Sequence, residues 1–394
     1  MDGNQGIDAS RFRVLGQVAL AFLRLGATSF GGPAAHAAMM EHELVTRRGW
    51  LTREDFLDLL AATNLIPGPN STEMAIHVGF RKAGRPGLLV AGACFILPAA
   101  ILSMGIAWAY VRYGSLPSAR SILYGVTPAV AAIVFQALWR LGRTALRTRT
   151  SVLVFLLSVA ATVAGIHELA ILLGAGILGA FVRRGRGKAP GPRITAMFVP
   201  IPKVPAVAAA ALAGAGATVP YSLARLFFFF MRTGAVLFGS GYVLLAFLRA
   251  DLVERWHWLT EQQLLDAIAV GQITPGPLFT TATFIGYLMG GPAGAVVATI
   301  GIFLPAFFFV AVSGPFVPRL RRSPTAASLL DGIVAASLAL MTVVTWHLGR
   351  AAIVDAPTLA IACASGVALL WSRLGSGWLV LGGGLAGFAL SRVA

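Results

Sequence analysis

Residues 22–43 read FLRLGATSFGGPAAHAAMMEHE, and residues 230–251 read FMRTGAVLFGSGYVLLAFLRAD. Arg24 and Arg232, Gly26 and Gly234, Phe30 and Phe238, and Gly31 and Gly239 all stand 208 positions apart. Working outward, the same register joins Arg47 to Arg255, Trp50-Leu51-Thr52 to Trp258-Leu259-Thr260, Asp58 to Asp266, and Pro67-Gly68-Pro69 to Pro275-Gly276-Pro277. One residue fewer then sets the offset to 207, which pairs Gly79 with Gly286, Gly84 with Gly291, Gly87 with Gly294, Leu97-Pro98 with Leu304-Pro305 and Gly125 with Gly332. A register held this far marks an internal duplication, and a duplication governs every later reading of the fold.

The medium in which the repeats fold follows from composition. Of 394 residues, 57% are hydrophobic and 12% charged, where soluble domains carry about 25% charged residues. Mean hydropathy is +0.80. A membrane-spanning helix needs about 20 mostly apolar residues, and apolar segments lie near 14–38, 56–80, 86–111, 119–140, 151–164 and 167–182 in the first half. They recur near 222–247, 264–288, 292–313, 327–348, 357–371 and 375–391 in the second, with one more at 203–219. The expected fold is an all-α polytopic membrane protein of about 13 transmembrane helices. It divides into a first repeat at 1–185, a basic linker with a single helix at 186–221, and a second repeat at 222–394. The N-terminal MDGNQGIDASRFR lacks the apolar core of a signal peptide. Cys94 and Cys363 are too few and too far apart for a disulfide framework or a thiolate metal site.

Charge sets the orientation. The formal net charge of +16 comes from 31 Lys and Arg that cluster between apolar stretches. That is the pattern of cytoplasmic loops facing anionic lipid; nucleic acid is not expected as a partner. Six segments plus a linker helix make an odd number of crossings, so the second repeat is expected to be inverted. Arg11 and Arg13, Arg81-Lys82-Arg85, Arg140 to Arg149, Arg183 to Lys188, and Arg319 to Arg322 then all fall on the cytoplasmic side. The second-repeat equivalent of Arg81-Lys82-Ala83 is the uncharged Leu288-Met289-Gly290, which faces out. This places the N-terminus in the cytoplasm and the C-terminus in the periplasm, with the parity resting on whether the second segment crosses fully or re-enters.

Inverted-repeat transporters bind substrate near the bilayer midplane, where broken helices meet. Pro67, Gly68 and Pro69 break one apolar stretch and Pro275, Gly276 and Pro277 its repeat, because proline removes an amide donor and glycine permits unusual backbone angles. The freed backbone must line a cavity or be covered by protein. Polar neighbours flank both breaks: Asn64, Asn70, Ser71 and Thr72 at the first, Gln272, Thr274 and Thr280 at the second. Helix N-termini after the breaks offer amides and a positive dipole end to an anion. Phe30, Gly31 and Gly32, with Gly239 and Ser240 in the repeat, form a second candidate element as an amide nest; close helix packing is the alternative. Arg24 and Arg232 either snorkel to the interface or pair with an oxyanion, which guanidinium matches bidentately. Glu73 and His77, four apart on one helix face and unmatched in the repeat, where Thr281 replaces Glu73, are candidates for proton coupling; a satisfied structural pair is the alternative.

At FGGP (30–33), WLT (50–52), NLIPGP (64–69) and the second-half FGSG, WLT and TPGP, the chain resembles the chromate ion transporter family in its long two-domain form. The resemblance implies a secondary transporter of the bacterial inner membrane. It would export chromate, driven by membrane potential or proton gradient, and so give chromate resistance. The partners are then a small inorganic oxyanion and the lipid bilayer. Sulfate or another oxyanion stays open as the substrate, and oligomeric state, a homo-oligomer included, is not legible. An enzyme would need a clustered nucleophile, acid–base pair or metal site. The sequence has no HExxH and no GxSxG, and its six histidines are scattered, so no catalytic residue, metal or cofactor is expected.

Overall fold

The structure is a computed structural model that describes residues 3–30, 33–64, 66–114, 116–184, 220–238, 241–313, 324–371 and 375–393. Every regular element among them is helical. The first half comprises α1 (Gly3–Thr28), α2 (Pro33–Glu41) continued by a π-helical turn (His42–Arg47), α3 (Arg53–Thr63), α4 (Asn70–Tyr113), α5 (Pro117–Ala145), α6 (Arg149–Val163) and α7 (Glu168–Arg184). The second half repeats the series. It has α8 (Leu223–Val236), a 3₁₀ turn (Gly241–Val243) into α9 (Leu244–Phe247) and a π-helical stretch (Leu248–Arg255), then α10 (Glu261–Ile273). A second 3₁₀ turn (Leu278–Thr280) leads into α11 (Thr281–Ser313), followed by α12 (Pro324–Ala352), α13 (Ala356–Trp371) and α14 (Ser376–Val393). The repeated WLT is a capping signal: Thr52 and Thr260 accept the amides of Asp55 and Gln263 and so start α3 and α10.

Neither α4 nor α11 is straight. Ala83 and Gly84 leave helical geometry, as do Gly290 and Gly291, with φ of 65° at Gly84 and 58° at Gly291, a left-handed conformation glycine adopts without a Cβ clash. A Cβ on Gly79 would lie 2.3 Å from the Gly87 carbonyl oxygen, and one on Gly286 2.3 Å from that of Gly294. Eight residues along a straight helix span about 12 Å, so the chain doubles back at each point. Each element is a hairpin, with a short arm (70–82; 281–289) and a long arm (85–113; 292–313).

The short arms also fold back on the helices before them. Arg81, near the end of the first short arm, donates to Asp55 at the start of α3 at 2.9 Å. Met40 and Leu44 pack in one cluster with Val18 and Phe22, so α2 returns along α1. Trp256 packs edge-on against Phe229, and α9 with its π-helical stretch returns along α8 in the same way. The count of about thirteen crossings is not confirmed. The first two apolar segments of each half are arms that turn back at their glycine- and proline-rich breaks. At 1.5 Å per residue, α3 reaches about 16 Å, half a hydrocarbon core of about 30 Å. Among the described residues, four helices are long and apolar enough to cross a membrane: α4, α5, α11 with its leading turn, and α12. The linker segment at 203–219 lies outside the described residues.

The halves interlock rather than sit side by side. Leu88, at the start of the first long arm, clusters with Ala306 and Val310, near the end of the second, so these equivalent helices run antiparallel. Tyr124, early in α5, donates to Asp355, just past α12, at 2.6 Å. That hydroxyl, with the Thr358 amide, holds the Asp355 carboxyl below the usual carboxylate range. Glycines make the crossings close. A Cβ on Gly125 of α5 would meet the Gly383 carbonyl oxygen of α14 at 2.0 Å, and one on Gly332 of α12 would meet that of Ala175 in α7 at 2.2 Å. The matched pair Gly125/Gly332 therefore marks where each half grips the other, as small residues do between membrane helices.

Candidate functional site

The breaks of both repeats meet at the centre of the molecule. The Gly68 amide donates to the Leu237 carbonyl at 2.7 Å, and the Gly276 amide donates to the Ser29 carbonyl at 2.7 Å. Donors and acceptors alike are 208 apart, so one contact is made twice about a pseudo-dyad. Each Pro-Gly-Pro turn is pinned to the residue just before the FGGP-type motif of the other half. Gly68 and Gly276 have φ of 143° and 90°, which bars L side chains from both positions.

Beside this junction lies a cavity of about 30 Å³ lined by His36, Pro69, Asn70, Ser71, Tyr242, Gln272, Thr274 and Gly276, among others. That is room for about two waters. Among the described lining residues there is no Asp, Glu, Lys or Arg. The pseudo-symmetric position is occupied differently: Leu244 stands for His36, Leu278 for Asn70 and Phe279 for Ser71. Duplication thus leaves a polar lining on one side of the dyad.

Hydrogen bonds fix the chemistry of the lining. The His36 Nε2 is 3.1 Å from the Ser29 carbonyl oxygen, which can only accept, so Nε2 carries the proton. His36 Nδ1 then accepts from the Ser71 hydroxyl at 3.1 Å. Gln272 Oε1 accepts from the Tyr242 hydroxyl at 3.4 Å, whereas its Nε2 is buried with no hydrogen-bond partner. Asn70 Nδ2 donates to Asn64 Oδ1 at 2.7 Å, and the buried Asn70 Oδ1 has no partner. The Thr72 and Glu73 amides are taken by the Pro69 carbonyl; those of Asn70 and Ser71 precede any intrahelical acceptor and point toward the helix start.

Of the residues singled out from sequence, Pro69, Asn70, Ser71, Gln272, Thr274 and Gly276 come together at this cavity. Gly68 sits directly behind it through the Leu237 bond, and Pro67 is half-buried in the same turn. Asn64 is exposed and anchors Asn70. Thr72 and Thr280 are buried off the cavity. Arg24 and Phe30 are exposed, Arg24 beside Thr28, Met39 and His42 on the outer side of the α1–α2 hairpin. Arg232 is held by Asp251, which also binds Arg255, and it lies 5.9 Å from the Phe229 ring. Gly31, Gly32, Gly239 and Ser240 lie outside the described residues. Glu73 and His77 are buried on the short arm; both Glu73 oxygens and His77 Nε2 have no hydrogen-bond partner. Sequence reasoning missed His36 and Tyr242. Their signal is position: His36 lies one turn past Pro33, and Tyr242 directly follows FGSG, so both sit at helix starts after a break.

A second polar feature lies at the opposite end of α10. Asp266 accepts from Tyr110 at 2.7 Å and from Gln262 at 3.0 Å, in a recess of about 390 Å³ that also holds Arg120, Tyr124 and Thr127. Helix α10 therefore joins this recess to Gln272 in the central cavity.

The pattern of the chromate transporter family matches residues 16–180 and again 224–388, one match for each repeat. The chain belongs to the chromate transporter family. A chromate transport protein of Cupriavidus metallidurans is 34% identical over 378 residues, covering 95% of this chain and 92% of its own length. A probable chromate transport protein of Synechococcus elongatus is 31% identical over 349 residues, covering 88% of each chain. A chromate transport protein of Pseudomonas aeruginosa is 31% identical over 382 residues, 93% of this chain and 90% of its own. No solved structure matches this chain. With its long apolar helices and these relatives, this chromate transporter family member is a multi-pass membrane protein.

Proposed function

We propose that the protein is a secondary transporter that exports chromate from the bacterial cytoplasm across the inner membrane and so confers chromate resistance. The observation that carries this reading is the central cavity, where the breaks of two repeats converge and buried amide groups wait without partners. Relatives named for chromate transport support the substrate. At about 30 Å³ the cavity has room for about two waters, so holding a tetrahedral oxyanion requires the pinned turns to part, which is a step alternating access supplies.

The orientation we propose keeps the N-terminus in the cytoplasm and the C-terminus in the periplasm, with repeats at 1–185 and 222–394 joined by 186–221. Two hairpins that return to the side they enter leave the parity unchanged, because two crossings are removed together. The basic clusters stay on one side, and the antiparallel packing of the equivalent long arms supports the inversion. Energetics favours efflux: each negative charge leaving a negative interior gains about 2.3 kcal/mol per 100 mV.

Asn70, Ser71, Gln272 and Thr274 are proposed to contact the oxyanion, and Glu73 and His77 to couple protons. Chromate accumulation in inverted vesicles, with the potential and the pH gradient collapsed separately, tests the function. Accumulation above that of vesicles lacking the protein is expected to fall when the potential is removed; accumulation no greater than theirs removes the reading. Glu73→Gln keeps the side chain's shape and removes its ionisation. It is expected to retain potential-driven accumulation and lose the response to a pH gradient, and an unchanged response would take Glu73 out of coupling.

A further inference from the structure

We infer that this structure is one of two exchangeable arrangements of the halves, and that in the other α3 seats on α7 and α12 as α10 here seats on α14 and α5. The inference rests on the transport reading for what the exchange accomplishes, and on the duplication for the contacts it makes.

Helices α3 and α10 hold equivalent places in the two repeats, yet they are packed differently. Helix α10 is enclosed. Gln262 donates to Thr127 of α5 at 3.1 Å, and Asp266 accepts from Tyr110 at the end of α4 at 2.7 Å. A Cβ on Gly377 of α14 would come 3.9 Å from the Gln272 carbonyl oxygen. Helix α3 is tied to its own half, where Asp55 accepts from Arg81 and Asn64 accepts from Asn70. Leu57 of α3 is 51% exposed, whereas its counterpart Leu265 is 0% exposed. Asp58 is exposed and its counterpart Asp266 buried. The surface that would cover α3 is bare as well: Leu173 of α7 is 66% exposed, and its counterpart on α14, Val380, 1%. Leu265 and Val380 belong to one buried cluster. Both sides of a contact made in one repeat are therefore uncovered in the other.

Divergence of sequence does not account for the difference. Leu57, Leu60 and Ala61 match Leu265, Ile268 and Ala269, so α3 keeps the apolar face that α10 buries. Nor does this face border lipid alone. Asn64 holds Asn70, which lines the central cavity, so Asn64 lies near the depth of that cavity, and it is exposed. An exposed amide there, with Asp58 exposed on the same short helix, is costly against hydrocarbon and stable against water. The bared side of α3 is thus one wall of an aqueous cleft that runs from Arg53 to the edge of the cavity. In the proposed orientation this cleft opens to the cytoplasm, while α10 closes the periplasmic approach.

The amide bonds that pin the two Pro-Gly-Pro turns are alike, 2.7 Å in each half. The asymmetry lies outside them, in whether the helix leading to the turn is docked. In an inverted duplication, exchanging a docked element with its undocked twin gives the same fold open to the opposite side. The exchange names its own contacts. Glu54 stands 208 positions before Gln262, and Val334 stands 207 after Thr127, so Glu54 is brought to Val334 as Gln262 leaves Thr127.

The test uses the full-length protein in proteoliposomes with Cys94→Ala and Cys363→Ala. Two double variants are compared, Gln262→Cys/Thr127→Cys and Glu54→Cys/Val334→Cys, each treated with a short reducible bis-thiosulfonate. Each bridge is expected to abolish chromate transport, and reductant to restore it. Without a bridge, Leu57→Cys is expected to react faster than Leu265→Cys with a water-soluble maleimide. Bridging positions 54 and 334 is expected to reverse that order. Glu54→Cys/Val334→Cys protein that never bridges, or both bridges formed in one molecule, overturns the inference. Leu265→Cys that stays unreactive once 54 and 334 are bridged also overturns it. Labelling reads the exchange without substrate, so the expected bridges and reactivities in a protein that carries no chromate would count against the transport reading alone.

Discussion

Gly276→Ala is expected to lower the stability of the purified protein by about 2–5 kcal/mol and to abolish transport. Two penalties act together. The residue has φ of 90°, a conformation that costs a residue with a Cβ about 1–2 kcal/mol. The added methyl would also lie 2.9 Å from the Ala99 Cβ and 3.2 Å from the Gly26 carbonyl oxygen, and overpacking of this kind costs about 1–3 kcal/mol. Neither neighbour can yield easily: Gly26 is itself jammed against the Phe95 backbone, with a Cβ-to-oxygen distance of 2.5 Å. Because Gly276 donates to Ser29, which also accepts from His36, a shift here displaces the cavity wall. Thermal unfolding in detergent checks the stability term, and chromate transport in vesicles checks the function. An unchanged melting temperature would show that the junction between the halves is looser than the reciprocal amide bonds imply.

Gln272→Leu is expected to do the reverse: to cut chromate transport by about 10- to 100-fold while leaving the melting temperature unchanged or raised. A hydrogen bond to a charged group contributes about 1.5–3 kcal/mol, and an unsatisfied buried donor costs about 1–3 kcal/mol. Gln272 Nε2 is such a buried donor without a protein partner, so replacing it relieves the protein and deprives the bound anion. Loss of activity without loss of stability separates a binding role from a packing role. A parallel fall in both would reassign Gln272 to the structural core, through its contact with Tyr242.

Much of this was legible in the residues. The 208-residue register, the apolar composition and the paired Pro-Gly-Pro breaks are local or periodic properties, and each has a direct physical meaning: duplication, bilayer burial, helix interruption. The structure makes the second break a neighbour of the first and carries Asn70, Ser71 and Gln272 to one cavity. Arg24 and Arg232 show where such reading stops. Both stand six residues before a glycine-rich break in apolar surroundings, yet one is exposed on a hairpin's outer side and the other binds Asp251. Spacing along a helix gives the face a residue occupies, not what packs against that face.

The sequence alone determined that the chain is a duplicated membrane protein with interrupted helices, because hydropathy and backbone chemistry act over a few turns. Only the tertiary structure decided that the interrupted segments double back as hairpins, since a glycine that permits a reversal also permits a kink. It alone decided that polar groups gather on one side of the pseudo-dyad, with His36 and Ser71 where the repeat has Leu244 and Phe279. Which orphaned amide faces which depends on contacts between residues some 200 positions apart, and no local pattern records them.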